Sequence, residues 1–319
     1  MTNNDELRLL IKVAQMYYEQ DLTQSQIAKS LGIYRTTISR MLKKIRQQGI
    51  VTIAINYQFN ETLLLEQQLK KRFELKEAII SPVNAESPMQ EQLDSMGSLC
   101  ANFLNSIIED RDVIGFSWGS ALSAVVEQMA EGCGKKNVTC VPMVGGPSGK
   151  LESRYHVNTI VYTAASKMHA ESKLIDFPAI LEQKMIRDGI MESQHYLSIS
   201  EYWNKLDIAV FGIGSPNISG HSVWRAFYGN DVIEHFNTAL VAGDICSRFY
   251  DATGNSVETY FSEKTINITL DKIKRANYAI GVAHSYEKLS GIIGAINGGY
   301  INCLVTTKDT AEKLLAMAP

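Results

Sequence analysis

Residues 23–49 read TQSQIAKSLGIYRTTISRMLKKIRQQG and predict two short helices joined by a tight turn. Thr23, followed three residues later by Gln26, is the pattern of a capping box that begins the first helix, and Gly32 suits the turn that ends it. Two helices spaced in this way around a glycine are typical of a helix-turn-helix. In the second helix, an apolar stripe at the helical repeat predicts the buried face, which consists of Ile38, Met41, Leu42 and Ile45.

The other face of the second helix combines positive charge with small polar side chains. Residues 23–49 hold six Lys or Arg and no Asp or Glu. Charge on a helix is by itself typical of solvent-exposed surface, but arginines beside hydroxyl groups on the second helix of this motif favour contact with DNA bases and phosphates. Tyr34 stands where many such motifs cap this helix with serine. We expect operator double-stranded DNA to be bound by Thr23, Gln24, Tyr34, Arg35, Thr36, Thr37, Ser39, Arg40, Lys43 and Lys44.

Charge separates the amino-terminal part from the rest of the chain. The 319 residues carry a net charge of −3, yet residues 1–56 hold eight Lys or Arg against four acids, a net charge of +4, which leaves −7 for residues 57–319. Only the amino-terminal part therefore suits a polyanion. The length accommodates one small and one large domain, and we predict a DNA-binding domain at 1–56 and an effector domain at 57–319.

Cysteine usage and hydropathy disfavour several classes of protein. The five scattered cysteines form no CxxC pair and have no histidine at metal-binding spacing, so we expect reduced thiols, no metal and no cofactor. No signal peptide opens the chain, and no apolar run is long enough to cross a bilayer. We therefore expect a cytoplasmic protein with no membrane partner.

Helices and strands alternate along the remainder of the chain. A helix at 5–19 is predicted to complete a three-helix unit, and VTIAI at 51–55 a short strand or wing. The helix predicted at 61–73 either packs on the next domain or pairs with its twin in a second subunit, and we favour the pairing. From residue 76 onward, short apolar runs alternate with amphipathic stretches, the signature of an α/β domain with a largely parallel sheet. Residues 168–203 are mostly helical in pattern.

Small residues follow three of the predicted strands. A single turn of this kind is ordinary turn chemistry, but ligands of open parallel sheets collect where strand ends meet helix N-termini. Three such turns in one domain predict a cradle for a phosphate or a sugar, offering backbone N–H groups and hydroxyls rather than a fixed cation, and a nearby aspartate adds a polar contact. The candidate effector-binding residues are Ser117, Trp118, Gly119, Ser120, Gly145, Gly146, Gly212, Gly214, Ser215 and Asp244.

Seven motifs spread over essentially the whole chain carry a family resemblance. They are DLTQSQIAKSLGIYRTTISR, QQGIVTIAINY, IGFSWG, VGGPSGKLESRYHVNT, FGIGSP, AGDICSRFYD and GYINCLVT. Together they resemble the SorC family of sugar-responsive bacterial transcriptional regulators. The resemblance implies an N-terminal helix-turn-helix domain, winged-helix-like, and a three-layer α/β/α effector domain similar to glucosamine-6-phosphate deaminase and ribose-5-phosphate isomerase. It also implies a homotetramer.

The resemblance further implies a type of effector. The chain is most similar to family members that control L-sorbose operons, which implies a sugar-phosphate effector, L-sorbose 1-phosphate or a related ketose phosphate. Deoxyribonucleoside regulators of the family have a lysine before the Gly-Gly pair that forms a Schiff base with the effector, whereas this chain has Val144, so covalent capture is not expected. By resemblance, the phosphate cradle consists of Ser117, Gly119, Ser120, Gly214 and Ser215, with Gly145 and Gly146 beside the sugar.

The sequence thus predicts a transcriptional regulator of a carbohydrate operon whose operator binding or assembly is modulated by a sugar phosphate. Two alternatives stay open, a sugar-phosphate isomerase or deaminase with Asp244 as its base, and a DNA-binding scaffold that senses nothing. A DNA-binding head on the same chain favours the sensor over the enzyme. Whether the protein activates or represses is not predicted.

Overall fold

A computed structural model describes residues 3–52, 61–217, 222–228 and 240–317. The chain divides into two compact units, residues 1–59 and 60–319, and each is described by itself. All five cysteines are free thiols. Among the described helices, none is both long enough and apolar enough to cross a bilayer.

The described part of the first unit, residues 3–52, contains three helices, α1 (Asn3–Tyr18), α2 (Gln24–Leu31) and α3 (Arg35–Gln47). The predicted capping box is present, because the Thr23 side chain accepts from the Gln26 N–H while the Gln26 side chain accepts from the Thr23 N–H. Gly32 ends α2 in the left-handed conformation, with φ of 67°. The wing predicted at 51–55 lies outside the described residues from residue 53 onward. The core of this unit is formed by Leu10, Val13, Ala14, Met16, Ile27, Ala28, Ile38, Leu42 and Ile45.

The second unit is built on strands and helices that alternate in the order the sequence predicts. The strands are β1 (Glu77–Ser81), β2 (Val113–Phe116), β3 (Thr139–Pro142), β4 (Glu171–Ser172), β5 (Ile208–Gly212), β6 (Gly243–Ile245), β7 (Arg248–Tyr250), β8 (Tyr278–Val282) and β9 (Cys303–Thr307). The described helices are α4 (Glu61–Phe73), α5 (Met89–Ile107), α6 (Ser120–Glu127), α7 (Val157–Met168), α8 (Lys184–Met191), α9 (Gln194–Trp203), α10 (Val223–Tyr228), α11 (Leu270–Lys274), α12 (Leu289–Asn297) and α13 (Lys308–Met317).

Seven of these strands form one sheet in the order β1-β9-β8-β5-β2-β3-β4, and every described pair in it is parallel. Strands β2 and β3 are buried at every residue, which requires cover on both faces and explains why they read as continuous apolar runs. The predicted α/β class with a parallel sheet is confirmed. Because all strands run in one direction, their carboxyl ends meet at a single edge of the sheet.

The hairpin β6–β7 is an element that the sequence analysis did not predict. Its two-residue loop is formed by Cys246 and Ser247, whose φ angles are 52° and 61°. Hairpin turns of this geometry usually have Asn-Gly or Asp-Gly at these positions, so the sequence lacks the ordinary hairpin signal. The strands are also only three residues long each, too short for an alternating pattern to stand out.

Two other predictions are corrected by the structure. The sequence predicts that residues 168–203 are mostly helical, but α8, the first helix that begins within this stretch, starts only at Lys184. Strand β4 and an irregular segment precede it. Helix α4 packs on its own unit, since Leu69 is fully buried and Glu66 accepts the N–H of Ile80 in β1 at 2.9 Å. The pairing with a twin helix that we favoured is therefore not what buries Leu69.

Candidate functional sites

A cavity opens at the carboxyl ends of β2 and β5, beside the N-terminus of α6. These strands are neighbours, with Phe116 opposite Val210, so the loops that follow them lie side by side. Its empty volume is about 510 Å³, a figure that includes space open to solvent. Seven of the ten predicted effector residues line it, namely Ser117, Trp118, Gly119, Ser120, Gly212, Gly214 and Asp244.

The α6 end of the cavity presents backbone N–H groups. The first hydrogen bond of the helix joins the Ser123 N–H to the Gly119 carbonyl at 3.0 Å, so the N–H groups of the residues between them precede the helical ladder. Gly119 has φ of 125°, a conformation that side chains rarely adopt. The Ser117 hydroxyl lies at the same end and accepts the N–H of Gly212 at 3.4 Å. This end of the cavity is suited to an anion.

Asp244 lines the cavity with a buried carboxylate. Its Oδ1 accepts the Trp224 Nε1–H at 2.6 Å, and its Oδ2 accepts the Ser247 N–H at 3.2 Å and lies 3.3 Å from the Tyr228 hydroxyl. Burial raises its pKa to about 6, although these donors act in the opposite direction. Because donors occupy both oxygens, the group serves as a structural acceptor rather than as the free base that the enzyme alternative requires.

Gly214 is at this site for a steric reason. A Cβ atom at Gly214 would lie 2.0 Å from Oδ1 of Asp244 and 2.4 Å from Nε1 of Trp224. The main chains also pair, since the Gly214 N–H donates to the Asp244 carbonyl at 2.9 Å. The loop after β5 and the β6–β7 hairpin can therefore meet only if residue 214 has no side chain.

Lys288 lines the cavity and was missed by the sequence analysis, which expected no fixed cation. It is partly buried, and burial lowers the pKa of its ammonium to about 8 while the charges of Asp244 and Glu287 act in the opposite direction. The lysine follows β8, whose carboxyl end lies at the same edge of the sheet as those of β2 and β5. That position after a strand of the sheet is the one signal by which it could have been found.

Three predicted effector residues lie outside the cavity lining. Ser215 is fully buried, and its hydroxyl donates to the Glu287 carbonyl at 2.8 Å. Gly145 lies so close to residues 178–179 that a Cβ atom would be 2.5 Å from their main chain. Gly146 exchanges hydrogen bonds with Phe177 and Ala179 and borders a separate depression. These two glycines allow close packing of two chain segments, which is a different use of glycine after a strand.

The predicted DNA-binding face of α3 is exposed. The exposed residues of this face are Arg35, Thr36, Thr37, Ser39, Arg40 and Lys43.

Residues flanking this face depart from the prediction in part. Tyr34 is 83% exposed. It stands at the N-cap of α3, where many such motifs have serine, and its side chain makes no capping hydrogen bond. The Thr23 side chain is engaged in the capping box and Gln24 is partly buried. Lys44 is engaged elsewhere, because its Nζ lies 2.6 Å from Oε1 of Glu6 in α1.

Comparisons with known proteins support a helix-turn-helix in the amino-terminal part of the chain and a sugar-binding domain in the rest. A Crp-like helix-turn-helix domain matches residues 7–71, and a sugar-binding domain family matches residues 57–316. The sorbitol operon regulator of Klebsiella pneumoniae is 56% identical over 99% of this chain and 100% of its own length. The chain belongs to the SorC family of sugar-binding transcriptional regulators.

A crystal structure of that regulator and a more distant relative show how far the likeness extends. The crystal structure of the full-length sorbitol operon regulator SorC from Klebsiella pneumoniae matches with a TM-score of 0.76 and 55% identity, covering 97% of this chain and 98% of that chain. The deoxyribonucleoside regulator of Bacillus subtilis (strain 168) is 28% identical over 98% of this chain and 99% of its own. These relatives are named as regulators, which supports the prediction that the chain is not an enzyme.

The raised pKa of Asp244 predicts a pH dependence of stability. The folded protein holds the Asp244 proton up to about pH 6, whereas the unfolded chain releases it near pH 4, so stability falls as the pH rises through this window. Asp244→Asn removes this titration. Between pH 4 and pH 6 the wild type should lose roughly 2 kcal/mol of unfolding free energy relative to the variant. Urea unfolding of both proteins at several pH values measures the difference, and a constant difference would contradict the assigned pKa.

Proposed function

We propose that this chain regulates transcription of a carbohydrate-utilisation operon in the cytoplasm, with α3 contacting operator DNA and the cavity at β2, β5 and α6 binding a ketose phosphate. The observation that carries the effector assignment is the convergence of four kinds of group on one cavity. Backbone N–H groups, the Ser117 hydroxyl, the Lys288 ammonium and the Asp244 carboxylate all line it. The sugar-binding domain family that spans this unit supports a carbohydrate ligand.

The charge of the cavity favours a phosphorylated sugar over a free one. A phosphate can take hydrogen bonds from the N–H groups at the start of α6 and pair with Lys288, and hydrogen bonds of this charge-assisted kind are about twice as strong as neutral ones. A carboxylate has about four acceptor sites, and three donors approach Asp244, so one site is left for a sugar hydroxyl.

The identity of the sugar is taken from the relatives. The 56% identical relative is named as a sorbitol operon regulator, and sorbitol is one of the two epimeric alcohols formed when the C2 carbonyl of L-sorbose is reduced. L-sorbose 1-phosphate, or a closely related ketose phosphate, is therefore the effector we propose. Binding in the cavity would shift the operator affinity or the assembly of a homotetramer, whose linked DNA-binding units gain affinity because the second contact is intramolecular.

The α3 face predicts distinct effects for two substitutions on operator binding. Arg40→Ala should weaken binding to the specific operator by about 1–3 kcal/mol if Arg40 contacts a base, with little effect on random DNA. Lys43→Ala should weaken binding to both DNAs and lower the salt slope by about one unit if Lys43 contacts a phosphate. Lys44→Ala is the matched control, because its ammonium already pairs with Glu6. Gel shifts at several salt concentrations measure these effects, and unchanged affinity in Arg40→Ala and Lys43→Ala would overturn the placement of α3.

A negative charge introduced into the cavity tests the effector assignment. Ser120→Asp places a carboxylate in the first turn of α6, where it suits the helix dipole but repels a bound phosphate. We expect calorimetry to show tighter binding of the ketose phosphate than of the free ketose by the wild type, and a loss of most of that affinity in the variant. Ser193→Asp is the control, since Ser193 caps α9 and does not line the cavity. Equal affinity for sugar and sugar phosphate, or normal binding by Ser120→Asp, would show that the cavity has been assigned wrongly.

A further inference from the structure

The three tryptophans of the chain differ in what their indole N–H groups meet. Trp203 donates to the carbonyl of Pro142 at 2.8 Å, and Trp224 donates to Oδ1 of Asp244 at 2.6 Å. The Nε1 atom of Trp118 is buried and has no hydrogen-bond acceptor among the residues that the structure describes. Buried indole N–H groups almost always have a partner, so the missing acceptor at Trp118 requires an explanation.

The position of Trp118 supplies that explanation. Its side chain lines the cavity described above, whereas Trp203 is buried in the core away from it. The Trp118 ring packs on the ring of Phe227 in α10, with centroids 4.4 Å apart and planes inclined at 44°. Packing therefore fixes the ring in place while its only polar atom has no partner within the described part of the chain, an arrangement that costs stability in the absence of a ligand.

We propose that the Trp118 indole N–H donates a hydrogen bond to an oxygen of the sugar portion of the effector, which makes Trp118 a specificity-determining residue. The inference rests on the proposed function, because it takes the cavity to be a sugar-phosphate site. An indole N–H is a donor only, so it selects an acceptor, a hydroxyl or carbonyl oxygen of the ligand.

The charges of the lining groups indicate which of them bind the phosphate and which bind the sugar portion of the ligand. The phosphate is matched by Lys288 and by the free N–H groups of α6, which are the charged and dipolar parts of the lining. The neutral Trp118 ring lines the same cavity and packs on Phe227, so its N–H offers the ligand an uncharged donor. A site built to hydrogen-bond a ligand oxygen discriminates strongly against analogues that lack it, because the buried group is then left unpaired.

The test compares a sugar phosphate with inorganic phosphate. Calorimetry of L-sorbose 1-phosphate and of inorganic phosphate is carried out on the wild type, Trp118→Phe and Trp203→Phe. Trp118→Phe keeps an aromatic ring on Phe227 but removes the donor, so its affinity for the sugar phosphate should fall by about tenfold or more. Its affinity for inorganic phosphate should not change. Trp203→Phe should keep wild-type affinity for both ligands, since its N–H binds a main-chain carbonyl of the core.

A second measurement uses the protein with Trp118 intact. In ¹⁵N-tryptophan spectra, the Trp118 indole N–H is assigned as the signal that Trp118→Phe removes and Trp203→Phe retains, and in the wild type it should shift and exchange more slowly when L-sorbose 1-phosphate is added. An unshifted Trp118 signal at saturation, or a Trp118→Phe variant that binds the sugar phosphate as the wild type does, would overturn the inference alone. Equal losses for both ligands would also overturn it, because they would place the donor on the phosphate. A wild type that does not bind the sugar phosphate would overturn the proposed function as well.

Discussion

The buried carboxylate of Asp244 is the interaction on which the effector cavity depends. A buried charge is unfavourable unless donors surround it, and here the donors come from different parts of the chain. Trp224 and Tyr228 belong to α10, Ser247 to the turn of the β6–β7 hairpin. The carboxylate therefore joins α10 to the hairpin. Removal of any one donor leaves the charge less compensated, so the structure of this wall of the cavity requires all three donors together.

Asp244 also determines how the hairpin packs against the loops at the carboxyl edge of the sheet. The hairpin is paired with the loop after β5 through Gly214, where any side chain would strike the carboxylate or Trp224. The loop after β2 supplies Ser117 and the start of α6, and the segment after β8 supplies Lys288. A ligand bound among these segments contacts four separate parts of the chain. It should stabilise the folded unit through mass action, and any effect on operator binding must be matched by an equal effect of the operator on ligand binding.

Much of this arrangement was predictable from the sequence, for reasons that also mark the limits of sequence reasoning. Buried parallel strands are apolar throughout, and Thr23 with Gln26 forms a local cap, so both leave clear patterns. Glycine after a strand is ambiguous, because Gly119 borders the cavity whereas Gly145 permits close backbone packing. The roles of Lys44 and Lys288 depend on Glu6 and Asp244, partners that only the tertiary fold brings near. The hairpin was missed because Cys246 and Ser247 adopt turn angles that other residues usually supply.

The central claim is that sugar-phosphate binding and operator binding are coupled in this chain. Fluorescence anisotropy of a labelled operator, titrated with the protein at zero and at saturating L-sorbose 1-phosphate, measures that coupling directly. The account predicts that the operator Kd changes by about fivefold or more with the sugar phosphate, as is typical of allosteric coupling, and that it does not change with free L-sorbose at the same concentration. An operator Kd that is identical with and without bound sugar phosphate would contradict the account.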